Sequence, residues 1–190
     1  MINTKADLKT YLVADSKGYQ NVIYDFSLDG IKRYIFRLLG CNPGGDQRII
    51  WNYIYCLRHA EFTINNCKWT RVYWLWRLRK LSYKLGYQIP PNVFGKGLTI
   101  YHWGSVIINA DARVGENTIL QPQIVIGQKR PGESPIIGNG CNICAGARII
   151  GKVKIGNNVT VAPNAVVVKD VPDNCVVAGV PAKIVKYKNE

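Results

Sequence analysis

The sequence predicts a mainly β protein: a parallel β-helix of about four coils over residues 89–190, preceded by an α-helical region over residues 1–88. Three observations carry this. Apolar residues recur every six positions through the carboxy-terminal half. Helix-forming, aromatic-rich segments bounded by cap residues fill the front. From Pro90 onward, Gly, Asn, Val and Ile replace the helix formers.

The six-residue period runs through Phe94 and Ile100, then Ile108, Val114, Leu120 and Ile126, then Ile137, Ile143, Ile149, Ile155, Val161 and Val167. It fits neither a helical stripe nor a long two-residue alternation. It fits short strands joined by tight turns, each flat face giving one aliphatic side chain to a narrow core. Three faces make a coil of about 18 residues, and coils stack on one another. Ala112, Thr118, Cys141, Ala147, Val153, Val159 and Ala165 precede the core positions by two and are small or β-branched. Gly95, Gly115, Gly127, Gly138 and Gly156 follow core positions directly and are expected at corners with unusual dihedrals. The rhythm breaks twice. Ile100 to Ile108 holds two extra residues, within "YHWGS", and Ile126 to Ile137 holds five, within "QKRPGESP". Repeat proteins place binding surfaces at such departures.

In the front half, "SLDGIKRYIFRLLG" opens on Ser27 as an N-cap and closes on Gly40. "CNPGGD" is a turn, and Asp46 caps a helix through "QRIIWNYIYCLRHAEF". In "KWTRVYWLWRLRKLSYKLG", Trp74, Leu78, Leu81 and Leu85 recur at helical spacing, with Arg77, Arg79, Lys80 and Lys84 around them. Such a helix either packs its aromatic side on a neighbour with the charges solvated, or lies on a membrane surface.

Composition narrows the function. The chain is 47% hydrophobic and 19% charged, as in ordinary globular proteins. Its amino terminus lacks the apolar core of a signal peptide, and no apolar run reaches membrane-spanning length, so a cytoplasmic location is expected. The net charge is +13: 14 Lys/Arg against 6 Asp/Glu in residues 1–88 (+8), and 11 against 6 thereafter (+5). Phosphate-bearing cofactors, anionic membranes and nucleic acid all suit that charge. No nucleic-acid motif is visible, and no nucleic-acid partner is expected. Cys141 and Cys144 form a C-x-x-C with no second pair to complete a zinc site, so they are read as small residues at repeat positions and no metal is expected.

On these residues a resemblance follows. "IGNGCNICAGARIIGKVKIGNNVTVAPNAVVVKDVPDNCVVAGVPAKIV" resembles the carboxy-terminal half of the hexapeptide-repeat acyltransferases. "IYHWGSVIINADARVG" resembles the histidine-bearing coil of their serine acetyltransferase branch. The resemblance implies a left-handed β-helix, a homotrimer with sites between subunits, and acetyl transfer from acetyl-CoA to a hydroxyl. His102 matches the catalytic histidine, and its chemistry suits the role: an imidazole takes the hydroxyl proton as oxygen attacks the thioester. The resemblance places CoA against Ala145, Gly146, Ala162, Pro163 and Val168, with Lys169 and Lys183 toward its phosphates. The small residues are equally what tight stacking requires. Lys129 and Arg130 either add charge to the site or are solvated. His59 reads as a packed or surface helix residue.

Three positions depart from the serine enzymes. Tyr87 stands near their orienting carboxylate, Tyr101 replaces the aspartate before the histidine, and Glu133–Ser134 replaces an Arg-His pair. The acceptor side is therefore drawn from Tyr101, Trp103, Asn109, Asp111 and Glu133, with Asp111, Glu61 and Glu133 as the alternative acidic candidates for orienting His102. These departures favour a sugar hydroxyl of surface polysaccharide synthesis, a glycan or small-molecule acceptor, over L-serine. A β-helical metalloenzyme needs three histidines per metal, and the chain has only His59 and His102. A basic binding or scaffold protein is the non-enzyme alternative.

Overall fold

The computed structural model describes residues 1–19 and 45–188, with residues 45 and 46 described by their backbone alone. The expected helix from Ser27 to Gly40 and residues 41–44 of the "CNPGGD" turn lie outside the described residues; the backbone of Gly45 and Asp46 is already helical, so Asp46 stands within the helix it was expected to cap.

The chain opens with a helix that the periodicity did not single out, α1 (Lys5–Ser16). Its start is a capping box. Thr4 Oγ1 accepts the Asp7 N–H at 3.0 Å, and Asp7 Oδ2 accepts those of Thr4 and Asn3 at 2.8 and 3.0 Å. A 3-10 turn, Lys17–Tyr19, ends with the Tyr19 hydroxyl bonded to the Ile100 backbone of the β-helix. Helices α2 (Gly45–Asn65) and α3 (Arg71–Leu85) then pack on one another. Leu78 and Leu85 of α3 are buried, while Trp74 and Leu81 are packed against the core. Gly86 (φ 76°) closes α3 in the left-handed conformation and turns the chain into the β-helix.

A fully buried ion cluster holds the helices to the first coil. Arg58 on α2 reaches Asp15 on α1 (2.8 Å), Glu61 (2.9 Å) and the carbonyls of Phe94 (3.0 Å) and Gly95 (2.6 Å). Asp15 Oδ1 also accepts the Gly97 and Leu98 N–H groups. Burying three ionised groups is costly, and the cluster is tolerated because the hydrogen bonds partner their polar atoms.

Beyond Gly86 the strands β1 (Tyr87–Gln88) to β14 (Ala182–Tyr187) form three sheets, A, B and C. Sheet A stacks β1, β3 (Val106–Ile108), β6 (Ile124–Gly127), β9 (Arg148–Ile150) and β12 (Val166–Val167). Sheet B stacks β4 (Arg113–Val114), β7 (Ile136–Ile137) and β10 (Lys154–Ile155). Isolated bridges at Phe94 and Val171 extend it at each end. Sheet C stacks β2 (Thr99–Ile100), β5 (Ile119–Leu120), β8 (Asn142–Ile143), β11 (Thr160–Val161), β13 (Cys175–Gly179) and the antiparallel β14. The chain visits A, B and C in turn, so five strands in sheet A mark five turns rather than about four. The extra turn comes from the ends, where Tyr87, Val171 and Val177 are buried outside the six-residue series.

The named core residues are buried, and so are the small residues two positions earlier, from Ala112 to Ala165. The glycines depart from expectation. Gly95, Gly115, Gly127, Gly138 and Gly156 are not among the positive-φ residues. At the B–C corners Gly95, Gly115, Gly138 and Gly156 permit close backbone approach instead, whereas Gly127 ends β6 in sheet A and meets only side chains. A Cβ on Gly138 would lie 2.7 Å from the Gly156 carbonyl, and one on Gly115 would lie 2.7 Å from that of Gly138. The left-handed positions there come two residues later, at Gly97, Asn117, Gly140 and Asn158, and also at Asn174; asparagine tolerates this conformation.

Candidate active site

The edge of the prism between sheets C and A carries the broken rhythm. After β2, Tyr101 keeps the ladder, its N–H on the Leu120 carbonyl at 3.2 Å. The chain rejoins at Gly104, whose N–H reaches the Leu85 carbonyl at 2.9 Å. Gly104 (φ 137°) is confined by Pro122 of the next coil, where a Cβ would stand 3.0 Å from Pro122 Cβ. The two extra residues are therefore expelled outward, leaving His102 exposed between Tyr101 (39% exposed) and Trp103 (60%). Among the described residues the His102 ring has no hydrogen-bonded partner. Its backbone is fixed, however: the Tyr87 hydroxyl donates to the His102 carbonyl at 2.8 Å. Tyr87 is buried, edge-on to Tyr53 at 5.1 Å, and burial pushes its phenol far above the usual range, so it remains a donor. Tyr87, expected near the position of an orienting carboxylate, thus holds the peptide of the histidine, not its ring.

The same edge continues coil by coil, about 4.8 Å at a time. Above the histidine lie Gln121, Pro122 and Gln123, which sequence reading did not single out although they occupy the matching corner of the next coil. Next come Ala145 and Gly146, tied back by Gly146 N–H to Pro122 O (3.0 Å) and Ala145 N–H to Gln121 Oε1 (3.0 Å). Ala162 and Pro163 follow, with Asn164 N–H on the Ala145 carbonyl at 2.9 Å. Lys183, exposed on β14 opposite Ala178, stands at the hairpin closing this edge. Gly146 has a positive φ (74°), and a Cβ there would collide with the Asn164 side chain, so its smallness serves the stacking directly.

The remaining predicted residues lie on a different edge, between sheets A and B. Asn109, Asp111, the loop with Lys129, Arg130 and Glu133, and Val168 and Lys169 all follow sheet A strands. Asn109 Oδ1 accepts both the Asp111 N–H (2.8 Å) and the Ser134 hydroxyl (3.0 Å), docking the loop on the coil before it. The loop closes on itself through Glu133 N–H to Arg130 O at 2.9 Å. Glu61 lies elsewhere, in the ion cluster and on the Asn92 N–H at 2.8 Å. His59 is sandwiched between Tyr55 and Trp74 (centroids 4.1 and 4.3 Å), bonded to the Tyr55 carbonyl, and burial lowers its pKa. Cys141 and Cys144 are buried core thiols, and burial raises both pKa values. Among the described residues no His, Cys, Asp or Glu group is arranged to hold a metal ion.

Residues 134–169 match the family described as Bacterial transferase hexapeptide (six repeats). A serine acetyltransferase of Staphylococcus aureus (strain COL) is 35% identical over 105 residues, covering 53% of this chain and 49% of that protein. One from Synechococcus elongatus is 33% identical over 104 residues, covering 53% and 43%. The chain carries hexapeptide repeats and is similar to the serine acetyltransferases. It spans about half the length of the curated relatives it matches. Among solved structures, soybean serine acetyltransferase superposes with a TM-score of 0.71 at 25% identity, covering 95% of this chain and 70% of that one. The Neisseria gonorrhoeae enzyme in complex with serine gives 0.66 at 25%, covering 96% and 70%. The fold is accordingly a left-handed parallel β-helix, an exception to the right-handed crossover rule.

Proposed function

We propose that this chain is an acetyl-CoA-dependent O-acetyltransferase in which His102 is the general base. The observation that carries the reading is the C–A edge. It presents one exposed histidine, followed by a file of small residues ending at a lysine. The His102 imidazole takes the proton of the acceptor hydroxyl as its oxygen attacks the thioester carbonyl. The carbonyl carbon then expels the CoA thiolate, which recovers that proton from the imidazolium. The pantetheine arm lies along Ala145, Gly146, Ala162 and Pro163, with Lys183 toward the phosphates as a point charge.

L-Serine is the acceptor that the relatives support, reversing the preference for a sugar drawn from the departing positions. Identity to the serine enzymes is 35% over 105 residues and 33% over 104. Those matches outweigh the replaced side chains. The sugar reading keeps one specific observation, the exposed Tyr101 and Trp103 beside the base, since aromatic faces suit sugar rings. A panel of L-serine, sugars and nucleotide sugars with acetyl-CoA, followed by free thiol, separates the two. His102→Ala is expected to lower turnover about 10²–10⁴-fold. Near-native turnover in that variant would remove the base from the mechanism.

Assembly belongs to the same proposal. His102 precedes β3 and Lys169 follows β12, so they stand on opposite edges of sheet A and three coils apart, about 14 Å along the stack in addition to the width of the face. One chain does not bring both to one acetyl group. A ring of three copies, with a head-to-tail interface, sets one copy's C–A edge against the next copy's A–B edge.

A further inference from the structure

Helix α3 shows an unusual outward face. Its inward side, Trp74, Leu78, Leu81 and Leu85, meets the core. A helix at a protein surface ordinarily turns polar residues to the opposite side. Here the opposite side carries Val72, Trp76 and Tyr83, 70%, 54% and 75% exposed, and Trp69 just before the helix is 86% exposed. Cations flank this stripe. Lys80 Nζ stands 4.0 Å over the Trp76 ring, and the Arg79 guanidinium 5.8 Å from the Tyr83 centroid. No acidic residue occurs between Glu61 and Asp111, so no carboxylate on α3 or its flanks neutralises them.

We propose that α3 seats this face on an anionic lipid bilayer. Three features select that partner. The centre of the face is apolar, with an aliphatic residue beside the aromatics, whereas a nucleic-acid groove is cationic along its length with bases stacked on rings. Trp and Tyr are the side chains that settle at a bilayer interface, with their rings among acyl chains and their polar edges at the headgroups. The bordering Arg and Lys match anionic headgroups, and their stems extend the apolar surface. The helix is too short and too charged to span, and no described helix is long and apolar enough to cross a membrane. It therefore lies in the interface plane. The inference does not depend on the acetyl-transfer reading, because none of these residues lies on the C–A edge.

The test is sedimentation of the full chain with vesicles of phosphatidylcholine alone, or of phosphatidylcholine with phosphatidylglycerol. Binding to the phosphatidylglycerol vesicles, weakened by added salt, is expected. Trp76→Ser/Tyr83→Ser should reduce that partitioning at least ~10-fold, with circular dichroism unchanged since both side chains are exposed. Arg79→Gln/Lys80→Gln should lower it about 5-fold per charge and leave phosphatidylcholine partitioning unaltered. The proposal is overturned by no preference for the anionic vesicles, by equal partitioning of the Trp76→Ser/Tyr83→Ser variant, or by a change in that variant's own oligomer mass, which would make the face a contact between copies. Single-stranded RNA competing stoichiometrically and losing its binding in the same variant would equally overturn it in favour of a nucleic-acid partner.

Discussion

At the scale of single residues, the candidate base is a histidine whose backbone is fixed and whose ring faces outward. Tyr87 does the fixing. Its buried hydroxyl spends its proton on the His102 carbonyl, and removing it leaves that carbonyl short of a donor at the one place where the coil departs from its repeat. Tyr87→Phe is expected to lower kcat about 10-fold, equivalent to roughly 1.4 kcal/mol, while leaving the KM for acetyl-CoA unchanged. The CoA file lies on coils that Tyr87 does not touch, so a rise in that KM would instead indicate general loosening. His102 was legible in the sequence because it fell in a broken repeat and matched a motif. The Tyr87 contact was not, because it joins two residues fifteen positions apart across a turn whose path depends on Gly104.

At the scale of elements, the coils are held by close backbone approach as much as by the aliphatic core. Gly138→Ala should destabilise the protein by about 1–3 kcal/mol, because the new methyl meets the rigid Gly156 carbonyl at 2.7 Å. Gly127→Ala, meeting only the movable end of Ile150 at 3.3 Å, should cost much less. Thermal unfolding of the two variants side by side decides this, and equal losses would place the glycine requirement in dihedral freedom after all. Sequence reading chose the right glycines for the wrong reason. A glycine following a core residue signals a corner, but only the stacked neighbour shows whether it serves φ or clearance. Likewise α1 had a legible start in Thr4 and Asp7, yet its weak apolar pattern concealed it. Its attachment rests on Asp15, a buried carboxylate whose partners come from 43 to 83 residues away.

At the scale of the whole molecule, the predicted site residues divide between two edges of the prism. If neighbouring copies share each site and Lys169 meets the CoA phosphates there, two impaired variants, His102→Ala and Lys169→Ala, should recover part of the native activity when co-expressed and mixed into common rings. Sedimentation would show a trimer for each. A trimer without any recovery would take Lys169 out of the site that holds His102 and would remove the head-to-tail arrangement.

The sequence by itself determined the repeating core of the β-helix, the two breaks in its rhythm and the place of the histidine in the first break, because a six-residue repeat writes one core residue per face and makes each departure visible. Tertiary structure decided what depends on position between coils. It placed Gln121 to Gln123 above the histidine, separated Asn109, Asp111 and Glu133 from His102 by a whole face, and drew Glu61 into a buried ion cluster. It also left three of the four α3 aromatics, Tyr73, Trp76 and Tyr83, exposed. Sequence spacing records position along the chain, and only stacking determines which edge each residue joins.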